Sequence, residues 1–345
     1  MKNLYTLIAL TAITILGVSC NDEWKDEQYA HYIGFRSPLN DQGVCEVYVP
    51  YSRTDADGNY TLGGEGRSNY ELPVIVSGSL TNEQDIDVHV AFDPDTLEIL
   101  NEARFQQRYD YWYADMSNPG NGDTYVTIPE TMHINAGENV GLLDINFDFR
   151  GIDMSQKWVL PLQVVDDPSY GYQSHPRKNY AKAILRIYPF NDYSGVYSGV
   201  SLQTYVKDDE GNGAIVKNEV TGYVVDENSI FFYAGNNDET RTDRELYKIK
   251  AEFSGGTNGI ITLSCDNPEV NFISNKEASY RIMEEMDATQ PFLMRRYVII
   301  NNIDYYYDDY TRAEGIRMTY HTTGSLTLQR TINTQIPDED QAIEW

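Results

Sequence analysis

Leu143-Asp144-Ile145-Asn146-Phe147-Asp148-Phe149 decides the fold class, because its apolar residues fall at every second position. Side chains alternate across an extended strand, so Leu143, Ile145, Phe147 and Phe149 share one face and the polar residues take the other. The pattern recurs in Asp85–Phe92, where Ile86, Val88, Val90 and Phe92 oppose Asp85, Asp87 and His89. Glu71–Ser77, Lys157–Val165 and Tyr180–Tyr188 read as strands in the same way. One buried face and one wetted face is the habit of antiparallel sheets. Strands of this kind, separated by turn residues, predict a β-sandwich. Thr96–Tyr109 is the helical stretch expected in this half.

A new series opens after Pro189-Phe190-Asn191-Asp192. Strands are expected at Val196–Val206, Gly213–Val225, Ser229–Tyr233, Glu245–Phe253, Gly259–Ser264, Met294–Tyr307, Gly315–Tyr320 and Gly324–Arg330. Asp209-Glu210-Gly211-Asn212-Gly213 and Ser254-Gly255-Gly256-Thr257-Asn258-Gly259 mark turns between them. The chain is therefore all-β, and its second antiparallel domain is either another sandwich or an up-and-down, lipocalin-like barrel. The expected division is 1–19 signal peptide, 20–30 acidic tether, 31–189 sandwich and 190–345 C-terminal β domain.

The N-terminus reads as an export signal. Met1-Lys2-Asn3 is basic, and Leu4–Val18 is fifteen uncharged, mainly apolar residues, short of the roughly twenty that span a bilayer. Gly17-Val18-Ser19-Cys20 resembles a bacterial lipobox, with Leu16 one place early and Gly17 in its slot. On that pattern Cys20 is acylated (palmitate-type chains) and becomes the new N-terminus, and two lipid chains anchor firmly where one does not. Asn21-Asp22-Glu23-Trp24-Lys25-Asp26-Glu27 looks like the acidic signal that directs lipoproteins to the outer face of an outer membrane.

A net charge of −27 argues against nucleic acid as a partner, since that binding needs Lys and Arg to neutralise phosphate. Beyond Cys20 there are only Cys45 and Cys265, with no metal-ligand spacing, and both read as buried thiols. The 28 tyrosines suit strands and also suit binding surfaces, where a rigid ring with a polar tip makes contact.

The motifs taken in order resemble those of two-domain lipoproteins that accompany Sus-type glycan-uptake machinery in Gram-negative bacteria. In the first half these are Leu72-Pro73-Val74-Ile75-Val76-Ser77-Gly78, Asp85-Ile86-Asp87-Val88, Phe92 through Asn101, Ile134-Asn135-Ala136-Gly137 and Trp158-Val159-Leu160-Pro161-Leu162. In the second half they are the Asn191–Tyr197 opening and the close at Gly324–Arg330, followed by Ile336–Gln341 and Trp345. The resemblance implies an Ig-like first domain, an all-β second domain and surface glycan binding for a SusC/SusD-like transporter pair. A protein-interaction subunit of the same machinery is the alternative, and a glycoside hydrolase with an unrecognised carboxylate pair the third.

Catalytic motifs are missing: no Gly-x-Ser-x-Gly, no His-Glu-x-x-His and no phosphate loop occurs. No cofactor or metal is called for, and Asp55-Ala56-Asp57-Gly58-Asn59 is better explained as an Asp-Gly turn than as a calcium loop. A pyranose needs an aromatic plate beside amide or carboxylate partners. Two segments offer that mixture. One is Arg108–Asp115, with Tyr111, Trp112 and Tyr113 as candidates and Trp112 the best plate. The other is Asn301–Tyr310, with Asn302, Tyr305, Tyr306, Tyr307, Asp308 and Tyr310. On a strand Tyr305 and Tyr307 share a face, Tyr306 takes the other, and at least one face is core.

Overall fold

The computed structural model describes residues 31–336, apart from 56, 60, 62–64, 121, 208 and 210–212. Cys20, the acidic tether and Trp345 lie outside the described residues. The first eleven strands are β1 (Tyr32–Phe35), β2 (Cys45–Pro50), β3 (Arg67–Val76), β4 (Ile86–Phe92), β5 (Ala114–Asp115), β6 (Val126–Thr127), β7 (Thr131–Ile134), β8 (Val140–Asp148), β9 (Trp158–Val164), β10 (Gln173–Ser174) and β11 (Lys182–Phe190). They form two sheets, β10-β1-β3-β8-β6 and β2-β11-β9-β4-β7, with β5 added alongside β9. Leu72, Val74, Leu143, Ile145 and Phe147 of the first sheet meet Val88, Val90, Leu160, Leu162, Leu185 and Ile187 of the second in one buried core. The period-two pattern has thus produced a β-sandwich whose inner faces interdigitate.

A helix, α1 (Pro94–Phe105), lies against the outer face of the second sheet. Asp93 caps it by accepting the Thr96 N–H, and Pro94 occupies the first turn where its missing N–H costs nothing. Leu97, with Leu100 and Phe105, covers Val44, Val159 and Ile184. The helix stops short of the expected Tyr109, because Gln106 turns to φ +54° and breaks the ladder. A separate 3-10 turn then spans Tyr109–Tyr111.

The second domain has β12 (Gly195–Ser198), β13 (Leu202–Val206), β14 (Ile215–Val216), β15 (Glu219–Asp226), β16 (Ser229–Tyr233), β17 (Lys248–Phe253), β18 (Asn258–Ser264), β19 (Ile273–Ser274), β20 (Ala278–Met286), β21 (Leu293–Ala313) and β22 (Ile316–Asn333). Antiparallel pairing runs β12-β15-β16-β17-β18-β20-β21-β22, and β22 returns to β12 through Tyr197 opposite Leu328. That circuit is a closed up-and-down barrel, which decides between the two architectures left open by the sequence. Eight strands leave an interior that side chains can fill. Tyr197, Phe232, Tyr247, Ile249, Phe253, Tyr280, Val298, Ile300, Leu326 and Leu328 fill it.

β21 and β22 have 21 and 18 residues, against a usual five or six, and they outrun the barrel. Their far halves pair with β19 on one side and β13 on the other, extending a sheet in the order β14-β13-β22-β21-β19. The two parts of the hairpin meet at a bulge between Ile300 and Ile303, where Asn302 takes φ +59°. Opposite it, a Cβ on Gly324 would sit 1.9 Å from the Ser201 carbonyl oxygen, so only glycine lets β13 start there.

Several expectations need correction: Gly213–Val225 is interrupted at Lys217–Asn218 between β14 and β15, and Glu245–Phe253 opens with a 3-10 turn over Arg244–Tyr247 before β17 starts at Lys248. Val196–Val206 is two strands, broken at Gly199–Ser201 so that β12 and β13 can pair with different stretches of β22. Gly315–Tyr320 and Gly324–Arg330 are parts of one strand, because Gly324 carries the ladder through the close approach instead of turning. Cys45 and Cys265 are free thiols, but each is only half-buried.

The domains share a junction. Tyr223, Val224, Phe231 and Tyr233 of the barrel wall belong to the sandwich's core cluster. Arg244 donates its Nε to the Ser155 carbonyl at 2.8 Å, and Lys248 pairs with Asp153 at 2.9 Å.

Candidate functional site

A filled barrel has no interior for a ligand, so any binding surface of this domain lies on its outside. The extension offers one. Residues directly opposite in a ladder project from the same face, and the register places Tyr205, His321, Tyr306 and Ile273 in one row across β13, β22, β21 and β19. With strands ~4.8 Å apart the row is ~14 Å long, room for a short run of sugar rings. Tyr306 and His321 stack with centroids 4.4 Å apart and planes 22° from parallel. The Lys207 ammonium lies 5.5 Å from the Tyr306 centroid.

The neighbouring row is polar: Gln203, Thr323 and Asp304 are in register. Asp304 accepts from Lys276 Nζ at 2.8 Å, Asn275 Nδ2 at 2.8 Å and contacts His321 Nε2 at 2.9 Å. Burial pushes its pKa up, but these partners outweigh burial and bring it down to about 2. Asp304 is therefore a fixed, charged acceptor that holds His321 beneath Tyr306.

Several candidates are elsewhere than expected. Tyr305 and Tyr307 are fully buried, on the face that closes over the barrel; the Tyr305 hydroxyl accepts the Gly235 N–H at 3.0 Å. Neither ring is open to a sugar. Asp308 shares the Tyr306 face, but it is buried and spent on Asn271, Thr319 and Arg317. Tyr310 is half-buried between Tyr247 and the Arg317 guanidinium, with its hydroxyl taken by Asn267. Asn302 is exposed at the bulge, where its positive φ gives it a backbone role.

The Arg108–Asp115 segment is split likewise. Tyr113 is buried in the satellite core under α1, its backbone clasped by Asn101 through bonds of 2.9 and 3.0 Å, so it is not a binding plate. Tyr111 is half-buried with the Arg108 guanidinium 3.9 Å over its ring. Trp112 is half-buried and donates its indole N–H to the Gln106 carbonyl, while the exposed Tyr109 leans on it at 4.9 Å. The result is a compact aromatic knob beside the domain junction, where Arg244 reaches the Asp110 carbonyl at 3.3 Å. Its rings are mostly occupied by one another, whereas the Tyr306 face is a continuous sheet surface.

Tyr205, His321 and Lys207 were missed as site residues, since only strand pairing brings them to Tyr306. Among the described residues, no cluster of His, Cys, Asp or Glu could hold a metal ion. The Asp55 carboxylate is spent on the N–H groups of Asp57 and Asn59, both at 2.9 Å.

A family model described as a domain of unknown function (DUF4973) matches residues 24–168, and one described as a "-like, C-terminal" domain matches residues 181–327. No curated protein matches the chain. Among solved structures, an auxiliary nutrient binding protein from Bacteroides thetaiotaomicron is 56% identical, with a TM-score of 0.80 over 92% of this chain and 100% of that one. A protein of unknown function from Bacteroides ovatus is 43% identical, with a TM-score of 0.78 over 91% and 100%. A multidomain protein including DUF1735, also from Bacteroides ovatus, is 41% identical, with a TM-score of 0.77 over 91% and 100%.

Proposed function

Because the chain belongs to the family of two-domain Bacteroides proteins that includes that auxiliary nutrient binding protein, we propose that it holds a nutrient glycan at the cell surface without cleaving it. It does so as an outer-membrane lipoprotein, acylated on Cys20, that serves a SusC/SusD-like uptake system. The observation that carries this reading is the Tyr205–His321–Tyr306 row beside a polar row of Gln203, Thr323 and Asp304. The rings supply faces for the C–H side of a sugar, and the exposed Gln203 amide supplies a partner for its hydroxyls, while the buried Asp304 braces His321 from below.

Carboxylate chemistry supports the non-catalytic part. A glycosidase needs one carboxyl held protonated by a raised pKa. Among the described residues on this face, Asp304 is brought down to about 2 by Lys276, Asn275 and His321 against the effect of burial, and Asp308 is likewise lowered by Thr319, Asn271 and Arg317 against burial. Both are buried anions filled by protein donors, and neither holds the proton that a glycosidase must donate.

The test is calorimetric titration of the full mature chain with linear hexasaccharides of the cellulose, mannan, xylan and starch series. Tyr306→Ala is expected to weaken the bound member ~10-fold, about what an aromatic contact at the centre of a site contributes. No heat from any of them at millimolar ligand, alongside a co-purified transporter, would favour the protein-interaction role instead. Anchoring is checked separately. Cys20→Ser is expected to move the protein from the membrane to the soluble fraction, and retention of the variant in the membrane would refute lipidation at that residue.

A further inference from the structure

The sandwich domain has a concave surface of its own, where β1 and β10 meet the loop that follows β9. The groove has a volume of about 900 Å³, at the upper end of what small-ligand sites enclose. Tyr32, Tyr170 and Tyr172 line it, with Asp166, Asp167 and Gln173 among its polar groups. Tyr170 is backed on one face by His89, with centroids 3.9 Å apart and planes within 2°. Tyr32 is braced by His175, which in turn leans on the exposed Tyr180 at 4.7 Å.

The loop is fixed in advance. The Tyr172 hydroxyl donates to the Val165 carbonyl at 2.8 Å and accepts the His89 N–H at 2.9 Å. Asp166 accepts the Ser174 N–H and hydroxyl, and Asp167 accepts those of Ser169. The exposed Gln173 amide, opposite Tyr32 in the ladder, has no side-chain partner among the described residues. Rings backed on one side, on a loop already ordered, lose little freedom when a ligand arrives.

We propose that this groove is a second glycan site, selective for neutral sugars, so that one molecule holds a polysaccharide through both of its domains. The selectivity follows from the wall. Among the described residues Asp166 and Asp167 line the groove and no Lys or Arg does, a negative wall that repels uronates or sulfated sugars. The inference rests on the glycan-binding reading above, and two sites on one protein raise affinity for a polymer through effective concentration, by roughly 10²-fold or more.

Titration of the full mature chain with the same four hexasaccharides, with hexagalacturonate and with the parent polymers separates the possibilities. The expected stoichiometry is two per protein for the bound neutral series, falling to one in Tyr170→Ala and to one in Tyr306→Ala, with polymer affinity falling ~10²-fold in each. Gln173→Ala, at an exposed position, repeats the test should Tyr170→Ala fold poorly. A wild-type stoichiometry of one that Tyr306→Ala abolishes and Tyr170→Ala leaves intact overturns the groove and keeps the barrel face. The reverse pattern keeps the groove and overturns the barrel face. Hexagalacturonate binding that Tyr170→Ala removes overturns the selectivity, and silence from every probe overturns both sites.

Discussion

Asp309→Ala is expected to destabilise the barrel domain by ~3–5 kcal/mol, the range for breaking a buried ion pair from one side. The Asp309 side chain has no exposure to solvent. It receives Arg241 through two bonds of 2.7 and 3.0 Å, the Tyr247 hydroxyl at 3.1 Å, the Arg312 N–H at 3.2 Å and the Arg312 Nε at 3.3 Å. Arg241 lies 4.1 Å over the Tyr247 ring and ties the loop between β16 and β17 to β21. Truncation leaves that guanidinium half-paired and the Tyr247 hydroxyl short of an acceptor, so the cost is an uncompensated charge more than a lost attraction. Urea unfolding measures it, and a loss of unfolding free energy below ~1 kcal/mol would show that Asp243 alone suffices for Arg241. Acid gives the same answer by another route. Burial raises the Asp309 pKa, but Arg241 and Tyr247 outweigh it and hold it low. The carboxylate's contribution is therefore complete above its unfolded pKa of about 4 and is lost as pH falls through the lower folded value.

Much of this architecture could be read from the residues. Period-two alternation located β4 and β8, because each has one face in a core and the other largely outside it, whereas β9 and β16 read as strands although both of their faces are buried. The helix expected at Thr96–Tyr109 formed as α1, though it begins at Pro94 and ends at Phe105. Barrel closure was not legible, since it depends on Tyr197 meeting Leu328 across almost the whole second domain, and no local pattern records a long-range pairing. The tyrosines were ambiguous for a related reason. Thirteen of the 28 are buried among the described residues, and they are tolerated there because their hydroxyls find partners, as Tyr197 does at the Tyr193 carbonyl and Tyr247 at Asp309. Composition gives no sign of which tyrosines will be so satisfied. Tyr113 illustrates the difficulty: it sits one residue from Trp112, yet Asn101 clasps it into the core beneath α1.

Tyr305, Tyr306 and Tyr307 turn that ambiguity into the sharpest available contrast, since adjacent residues of the same type face a core and a candidate site. Tyr307→Ala is expected to cost ~3–5 kcal/mol, like truncation of other large aromatic residues in cores. Its ring stacks on Tyr320 at 5.3 Å, leans on Tyr305 at 6.2 Å and presses against Gly235, where a Cβ would lie 2.4 Å from the Tyr307 hydroxyl. A surface packed so closely relaxes little, so the void stays open. Tyr307→Phe keeps the ring and gives up only a long contact to Asn236 at 3.4 Å, and should cost under ~1 kcal/mol. Tyr306→Ala removes a half-buried ring from the outer face and should also cost ~1 kcal/mol or less, while weakening glycan binding ~10-fold. Urea midpoints and titration on the same three proteins decide it. If Tyr306→Ala proves as destabilising as Tyr307→Ala, the outer row is holding the extension together, and its rings have no surface left to give a sugar.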